Sequence, residues 1–360
     1  MKSVGGNLNP EQVLMKGNEA IAEAAIRAGC GAYFGYPITP QNELTAYMAL
    51  HMLDKGRIFI QAESEIASII MVYGASCAGA RAMTSSSSPG VSLKQEGISY
   101  AAGADVPCVI ANVSRGGPGL GSIAPAQGDY FQSTRGGGHG DYYCIVLAPK
   151  SVQECADLTY LAFDLADKYR MPAILLADGM IGQMMEGIVL PPERSLKDLP
   201  KRPWIIGNMA GRAARHITSL SLVPAEFEAQ IKARFERYEL IKKAEIRFDN
   251  IDTEDAEITL AAYGTCARVC LGAKKLADKA GIKVGLFRPI TLWPFPYEAL
   301  GKIGERGKPI LTVEMSLGQM VEDVRLSVLG KAPVHLLGHT GGVIPTEEEV
   351  FEELKKILGK

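Results

Sequence analysis

The sequence predicts an α/β protein: a parallel sheet with helices on both faces, followed by a connector and a second, smaller α/β domain. Three observations carry that reading. Short apolar runs of strand length alternate with longer stretches of helical pattern, the order expected of a parallel sheet. The alternation breaks at the polar, proline-rich stretch Pro191–Pro203 and resumes near Ala256. At 360 residues the chain is also long for a single core. The boundaries read from these breaks are 1–190 for the first domain, 191–254 for the connector and 255–360 for the second.

Taken in order, Asn18 caps a helix over 19–28 that Gly29 ends. Ala32–Tyr36 reads as a strand, and Pro37-Ile-Thr39-Pro40 turns into a helix with Thr39 as N-cap and Pro40 in the first position. Ile58–Gln61 reads as a short buried strand that turns at Glu63 and Ser64 into a helix running toward Gly79. That helix is apolar or small nearly all round, which predicts an interior element. A strand at 81–84, the run Ser85–Gly90 and a helix over 92–102 follow. The strand 106–113 ends in Ser114-Arg115 and a glycine-rich loop, and strands at 145–148 and 173–177 flank a helix over 152–168. The connector holds a charged helix, 225–248, with Phe227, Ile231, Phe235 and Tyr238 on one side. Strands at 258–262, 283–287, 309–313 and 334–337 make the second domain, and Thr346 with Glu349 forms a capping box that opens the last helix.

Composition excludes several function classes. A hydrophobic share of 47%, a charged share of 22% and a net charge of -2 describe a globular protein without the basic footprint of a nucleic-acid or membrane-surface binder. No run of 18 apolar residues occurs, and Met1–Pro10 has no apolar signal region, so a cytoplasmic chain is expected. The seven cysteines never form Cys-x-x-Cys, which fits reduced, buried thiols rather than an iron-sulfur or zinc site. The five histidines lack the His-Glu-x-x-His pattern of a zinc hydrolase: His335 and His339 are four apart but lie in and just after the strand read at 334–337 rather than on a helix face, and neither a Walker phosphate loop nor a strand followed by Gly-x-Gly-x-x-Gly is present.

The chemistry is expected at the carboxyl ends of the first domain's strands, where parallel sheets gather residues far apart in sequence. Glu65 stands there in the first turn of a buried helix. A buried carboxylate needs a partner or a raised pKa, although it also complements the helix dipole. Arg115 precedes two glycines and offers planar, bidentate recognition of a carboxylate; the alternative is a surface arginine capping a loop. Thr39 is either a plain N-cap or a ligand. His139, in Gly136-Gly-Gly-His139-Gly-Asp141, reads as a structural loop residue.

Five motifs in one order, Tyr36-Pro-Ile-Thr-Pro40, Gln61-Ala-Glu-Ser-Glu65-Ile-Ala, Thr84–Gly90, Arg115-Gly-Gly-Pro and Gly137-Gly-His-Gly-Asp141, resemble the alpha subunit of the 2-oxoacid:ferredoxin oxidoreductases over nearly the whole chain. The resemblance implies a thiamine-diphosphate pyrimidine-binding domain followed by a transketolase C-terminal-like domain. It implies that Glu65 contacts the aminopyrimidine ring nitrogen, promoting the tautomer that deprotonates the thiazolium carbon, with Pro37 and Thr39 near the cofactor. Arg115 corresponds to the arginine that holds the 2-oxoacid carboxylate. The chain lacks the Gly-Asp-Gly and downstream Asn-Asn pattern that binds the diphosphate through Mg2+. The resemblance therefore implies a beta subunit for that end of the cofactor, gamma and ferredoxin-like delta subunits, and [4Fe-4S] clusters on partners. Alone, the chain should be inactive. Ser85–Gly90, Val91–Gly97 and Gly116–Gly121 look most like the branched-chain, 3-methyl-2-oxobutanoate members, converting a 2-oxoacid and coenzyme A to acyl-CoA and carbon dioxide. The alternatives are a 2-oxoglutarate member, which would make Lys94 a candidate for the second substrate carboxylate, a pyruvate member, and a non-catalytic assembly subunit.

Overall fold

The computed structural model describes residues 12–207 and 210–360, so the N-terminal stretch Met1–Pro10 read above lies outside the described residues. The first part of the chain runs β1 (Val13–Lys16), α1 (Gly17–Arg27), β2 (Ala32–Gly35), α2 (Asn42–Asp54), β3 (Ile58–Gln61), α3 (Glu65–Cys77), β4 (Ala82–Ser86), α4 (Ser88–Gly103), β5 (Cys108–Ser114), α5 (Tyr130–Thr134), β6 (Ile145–Leu147), α6 (Val152–Tyr169), β7 (Pro172–Asp178), α7 (Gly179–Gln183) and β8 (Met185–Ile188). After the long helix α8 (Pro224–Ala244) come β9 (Phe248–Ile251), β10 (Ile258–Ala261), α9 (Gly264–Lys279), β11 (Val284–Pro289), β12 (Thr291–Trp293), α10 (Tyr297–Gly304), β13 (Ile310–Glu314), α11 (Met320–Val328), β14 (Val334–Gly338) and α12 (Glu347–Leu358).

The larger sheet has the order β12-β6-β7-β5-β4-β2-β3, parallel throughout except for β12. From β2 the chain goes outward to β3 and then back across to β4, so β2 and β4 flank the point where the strand order reverses. Helices α1, α2 and α6 pack together, and α3 packs on α4. The crevice beyond the carboxyl ends of β2 and β4 is where open α/β sheets bind ligands. The smaller sheet, β14-β13-β10-β11-β9, is parallel apart from β9.

Several local expectations give way to tertiary contacts. Helix α1 starts at Gly17; the backbone N–H of Lys16 is met by Glu19 Oε2 at 3.0 Å, and Asn18, inside the helix, donates instead to the Pro40 carbonyl at 2.8 Å. Helix α2 starts at Asn42, so Thr39 is not its N-cap. Helix α4 starts at Ser88 with Pro89 in its first turn, four residues before the predicted start. Helix α8 ends at Ala244, because Phe248 belongs to a strand. Strand β3 is an edge, with Ile58 51% exposed, and α3 turns Ile66 and Ile70 outward. Neither element is the interior piece that its apolar content predicts. Strand β12 leaves the second part of the chain to join the first sheet, where Trp293 stacks on Tyr143 at 4.9 Å and meets the edge of Tyr238 from α8.

Buried polar bonds fasten the two sheets to each other. Asp178, at the end of β7, caps α7 through Met180 N and Ile181 N and accepts from Thr265 N and Oγ1 on α9. Gln127 bridges the Tyr263 carbonyl and Met315 N, both at 2.9 Å. All seven cysteines are buried and unpaired, and burial pushes the Cys30 and Cys108 thiols up to about 12. A thiol reagent at pH 8 is expected to label essentially none of them in the folded protein and all seven after denaturation. Rapid native labelling would contradict this packing.

Candidate functional site

The site is organised by the first turns of α3 and α4. Ser64 caps α3 by accepting from Ala67 N at 3.1 Å, which places Glu65 in the first helical position. Glu65 is 7% exposed, and among the described residues no donor reaches its carboxylate. Its neighbours come from α4. A Cβ on Gly90 would lie 2.7 Å from Glu65 Oε1 and 2.1 Å from Ser86 Oγ. Only a residue without a side chain lets β4, α3 and α4 meet here. Gly90→Ala is therefore expected to destabilise the protein by about 1–3 kcal/mol through overpacking and to displace the Glu65 carboxyl. Unchanged thermal stability together with unchanged turnover would refute the close approach.

The Ser85–Ser88 run divides its work. Ser85 Oγ joins a buried network with Tyr33 and Gln41, both at 2.6 Å. Ser86 Oγ and Ser87 Oγ are buried and have no hydrogen-bond partner among the described residues. Ser88 Oγ donates to Asp129 Oδ2 at 2.6 Å and accepts from Arg115 N at 2.9 Å, while Asn112 Nδ2 donates to the same Asp129 oxygen at 2.8 Å. Asp129 thus holds the start of the loop that carries Arg115.

Arg115 is not a surface residue. It is 7% exposed; Nη1 donates to the Thr39 carbonyl at 2.8 Å and Nη2 to the Leu120 carbonyl at 3.1 Å, leaving Nε buried without a partner among the described residues. Thr39 is half-buried, with its Oγ1 accepting from Asn42 Nδ2 at 3.3 Å, and Pro37 is exposed beside it. The loop folds back on itself through Gly116 N to the Ala124 carbonyl at 2.9 Å. It also packs on the second part of the chain, since a Cβ on Gly116 would lie 3.1 Å from Gly341.

The structure thus brings Thr39 to Arg115 directly and sets both Arg115 and Glu65 against the head of α4, the first bonded to Ser88 and the second beside Gly90. His139 lies apart. Its carbonyl accepts from Ser99 Oγ, near the other end of α4 and nine residues, or about 14 Å, from Gly90. With Tyr100, Tyr142 and Phe227 it lines a cavity of about 520 Å³ separate from the carboxylate and guanidinium.

Sequence reasoning named the Ser85–Gly90 run without giving Ser86 or Ser87 a role of its own, and it passed over Asp129 and, in a role other than substrate binding, Lys94. Lys94 is fully buried, with Nζ donating to the Glu65 carbonyl at 3.2 Å and to Ser68 Oγ. Burial pulls its ammonium down from 10.5 to about 7, with the nearby Glu65 charge opposing. The spacing Gly90, Lys94, Gly97 marks one helix face and was legible as such. Nothing local announces Asp129.

Residues 23–250 match the family described as pyruvate flavodoxin/ferredoxin oxidoreductase, thiamine-diphosphate-binding, and residues 256–350 match core domain II of pyruvate:ferredoxin oxidoreductase. The chain is similar to the ketoisovalerate oxidoreductase subunit VorB of Methanothermobacter marburgensis, 47% identical over 96% of this chain and 98% of that one. It is also similar to the 2-oxoglutarate synthase subunit KorA of Methanothermobacter thermautotrophicus, 36% identical over 96% of this chain and 99% of the relative. Among solved structures, the 2-oxoglutarate:ferredoxin oxidoreductase from Magnetococcus marinus, with 2-oxoglutarate, coenzyme A and succinyl-CoA bound, superposes with a TM-score of 0.86 at 27% identity. That match covers 96% of this chain, which spans 65% of the length of the Magnetococcus chain.

Proposed function

Because the chain belongs to the thiamine-diphosphate-binding pyruvate flavodoxin/ferredoxin oxidoreductase family, we propose that it is the alpha subunit of a branched-chain 2-oxoacid:ferredoxin oxidoreductase. The complete enzyme would convert 3-methyl-2-oxobutanoate and coenzyme A to the acyl-CoA and carbon dioxide, passing two electrons to ferredoxin. The observation that carries this reading is the 47% identity, over almost all of both chains, to a ketoisovalerate subunit, against 36% to a 2-oxoglutarate subunit. Lys94 supports it: the cation that a second substrate carboxylate would need is fully buried and bonded to α3. Leu120, whose carbonyl Arg115 holds, is an apolar residue 83% exposed at the same loop.

The residues present fit the pyrimidine end of thiamine diphosphate. The buried Glu65 carboxylate, which no described donor reaches, and the buried Ser86 and Ser87 hydroxyls leave hydrogen-bonding capacity unmet among the described residues. When bound, the cofactor supplies the carbon nucleophile and the electron sink for decarboxylation. Glu65 would hold a proton at its carboxyl oxygen against the aminopyrimidine ring nitrogen, with Pro37 and Thr39 flanking the ring. Arg115 would orient the 2-oxoacid carboxylate through its free Nε–H and the remaining Nη hydrogens, its plane already fixed by two backbone carbonyls. Among the described residues no cluster of three or more His, Cys, Asp or Glu could hold a metal ion. Mg2+ and the diphosphate are assigned to a beta subunit, and the [4Fe-4S] clusters to partners that include a ferredoxin-like delta subunit, with a gamma subunit completing the assembly. No helix among the described residues is long and apolar enough to cross a membrane, and a cytoplasmic assembly is proposed.

The test is methyl viologen reduction by the chain isolated with its native partners, given coenzyme A and each 2-oxoacid in turn. The specificity constant for 3-methyl-2-oxobutanoate should exceed that for 2-oxoglutarate by at least about tenfold. A preference for 2-oxoglutarate would replace the substrate assignment, and no reduction with any 2-oxoacid would leave an assembly role.

A further inference from the structure

Lys94 has no part in the chemistry described above, yet its setting is unusual. It lies on the one face of α4 that also carries Gly90 and Gly97, at spacings of four and three residues. The two glycines let α3 come very close. A Cβ on Gly97 would lie 2.5 Å from Ile69 Cγ2, as one on Gly90 would lie 2.7 Å from Glu65 Oε1. A long, ionisable side chain has therefore been placed in the middle of a tight helix–helix seam, with no exposure to water. Its amine does not reach past α3. Nζ donates to the Glu65 carbonyl at 3.2 Å and to Ser68 Oγ, and Ser68 Oγ itself donates to the Glu65 carbonyl at 2.8 Å. The ring closed by these three groups fixes the backbone of the residue that bears the carboxylate.

Simple fastening of two helices does not require a lysine. Two acceptors are present for the three donors of an ammonium, so the charged form keeps one N–H unmet among the described residues. Glu65 is the charged group that acts on the amine; Ser68 and Ile69, the other α3 residues meeting this face of α4, are neutral.

We propose that Lys94 is a positioning residue for Glu65, its amine tying down the first turn of α3 and its charge biasing the proton on the Glu65 carboxyl. The consequence for catalysis rests on Glu65 facing the aminopyrimidine ring. The sign is fixed by electrostatics: a protonated Lys94 favours an ionised Glu65, and an ionised Glu65 favours a protonated Lys94. Burial brings the Lys94 ammonium to about 7, so the cation is present below neutrality and lost above it. The turnover profile accordingly contains a limb near neutral pH that belongs to Lys94.

The test uses the assembled complex. Without thiamine diphosphate and with lysines labelled with 13C at the ε position, Lys94 should be the lysine that titrates near neutrality. Glu65→Gln should lower its midpoint by about one pH unit or more, because the anion that favours the charged amine is gone. A midpoint indifferent to Glu65→Gln overturns the coupling. With cofactor bound, Lys94→Met, which keeps the bulk and removes the charge, should lower kcat with little change in the KM for the 2-oxoacid and abolish the limb near neutrality. A wild-type pH profile in that variant also overturns the proposal. Should Lys94→Met not assemble, Ser68→Ala removes one of the two acceptors and must move the Lys94 midpoint; an unmoved midpoint refutes the ring. Normal turnover in Glu65→Gln would remove Glu65 from the reaction without altering the titration, so the two readings fail separately.

Discussion

Replacing Glu65 by Gln in the assembled enzyme is expected to lower kcat at least about a hundredfold, the scale of a lost general acid/base group, while the subunits still associate. The expectation comes from position. Ser64 caps α3, so Glu65 is held in its first turn, 7% exposed, with a carboxylate that no described residue satisfies. Gln has nearly the same volume and leaves the close approach to Gly90 in place. What it removes is the ability to hold and release a proton. Sedimentation or gel filtration separates the two outcomes: lost turnover with an intact assembly supports the role, and near-normal turnover removes Glu65 from it.

Arg115→Lys should chiefly damage use of the 2-oxoacid, lowering kcat/KM by about 10–100-fold, as expected when a charge-assisted hydrogen bond worth about 1.5–3 kcal/mol is lost. The guanidinium is anchored at both Nη atoms, to the Thr39 and Leu120 carbonyls, and so presents Nε in a fixed direction. An ammonium can replace one of those anchors, not the planar arrangement. The variant should retain coenzyme A affinity and assembly, since Arg115 serves neither in this account. An unchanged dependence on 2-oxoacid concentration would count against the carboxylate role.

Much of this site was readable from the chain because it depends on local pattern. The strand–turn–helix around Glu65 has sharp signals, three β-type residues at Ile58, Phe59 and Ile60 and a serine cap at Ser64, and both elements form where the pattern puts them. Which faces they bury was not readable. An apolar strand looks the same at a sheet's edge as at its centre, and the outward turn of Ile58, Ile66 and Ile70 follows from β3 being last in the order. Local rules also misplaced helix starts where a distant group satisfies the backbone. Thr39 gives its carbonyl to Arg115, 76 residues away, and α2 begins three residues later. Asn18 turns from a predicted cap into a buried link to Pro40 and Glu43. Ser88, read as loop, opens α4 with Pro89 in its first turn, and its hydroxyl is then committed to Asp129 and Arg115. The Asp129 support and the departure of β12 to the first sheet arise from contacts between segments far apart in sequence, which no window of the chain displays.

The most direct measurement of the central claim is thiamine dependence in the complex isolated around this chain. The complex would be stripped of thiamine diphosphate and Mg2+, and dye reduction with 3-methyl-2-oxobutanoate and coenzyme A followed as the cofactor is added back. The account predicts no activity in the stripped complex and recovery that saturates at one thiamine diphosphate per copy of this chain, with the Glu65→Gln complex remaining slow at saturation. Dye reduction that persists without the cofactor, or full recovery in Glu65→Gln, would contradict it.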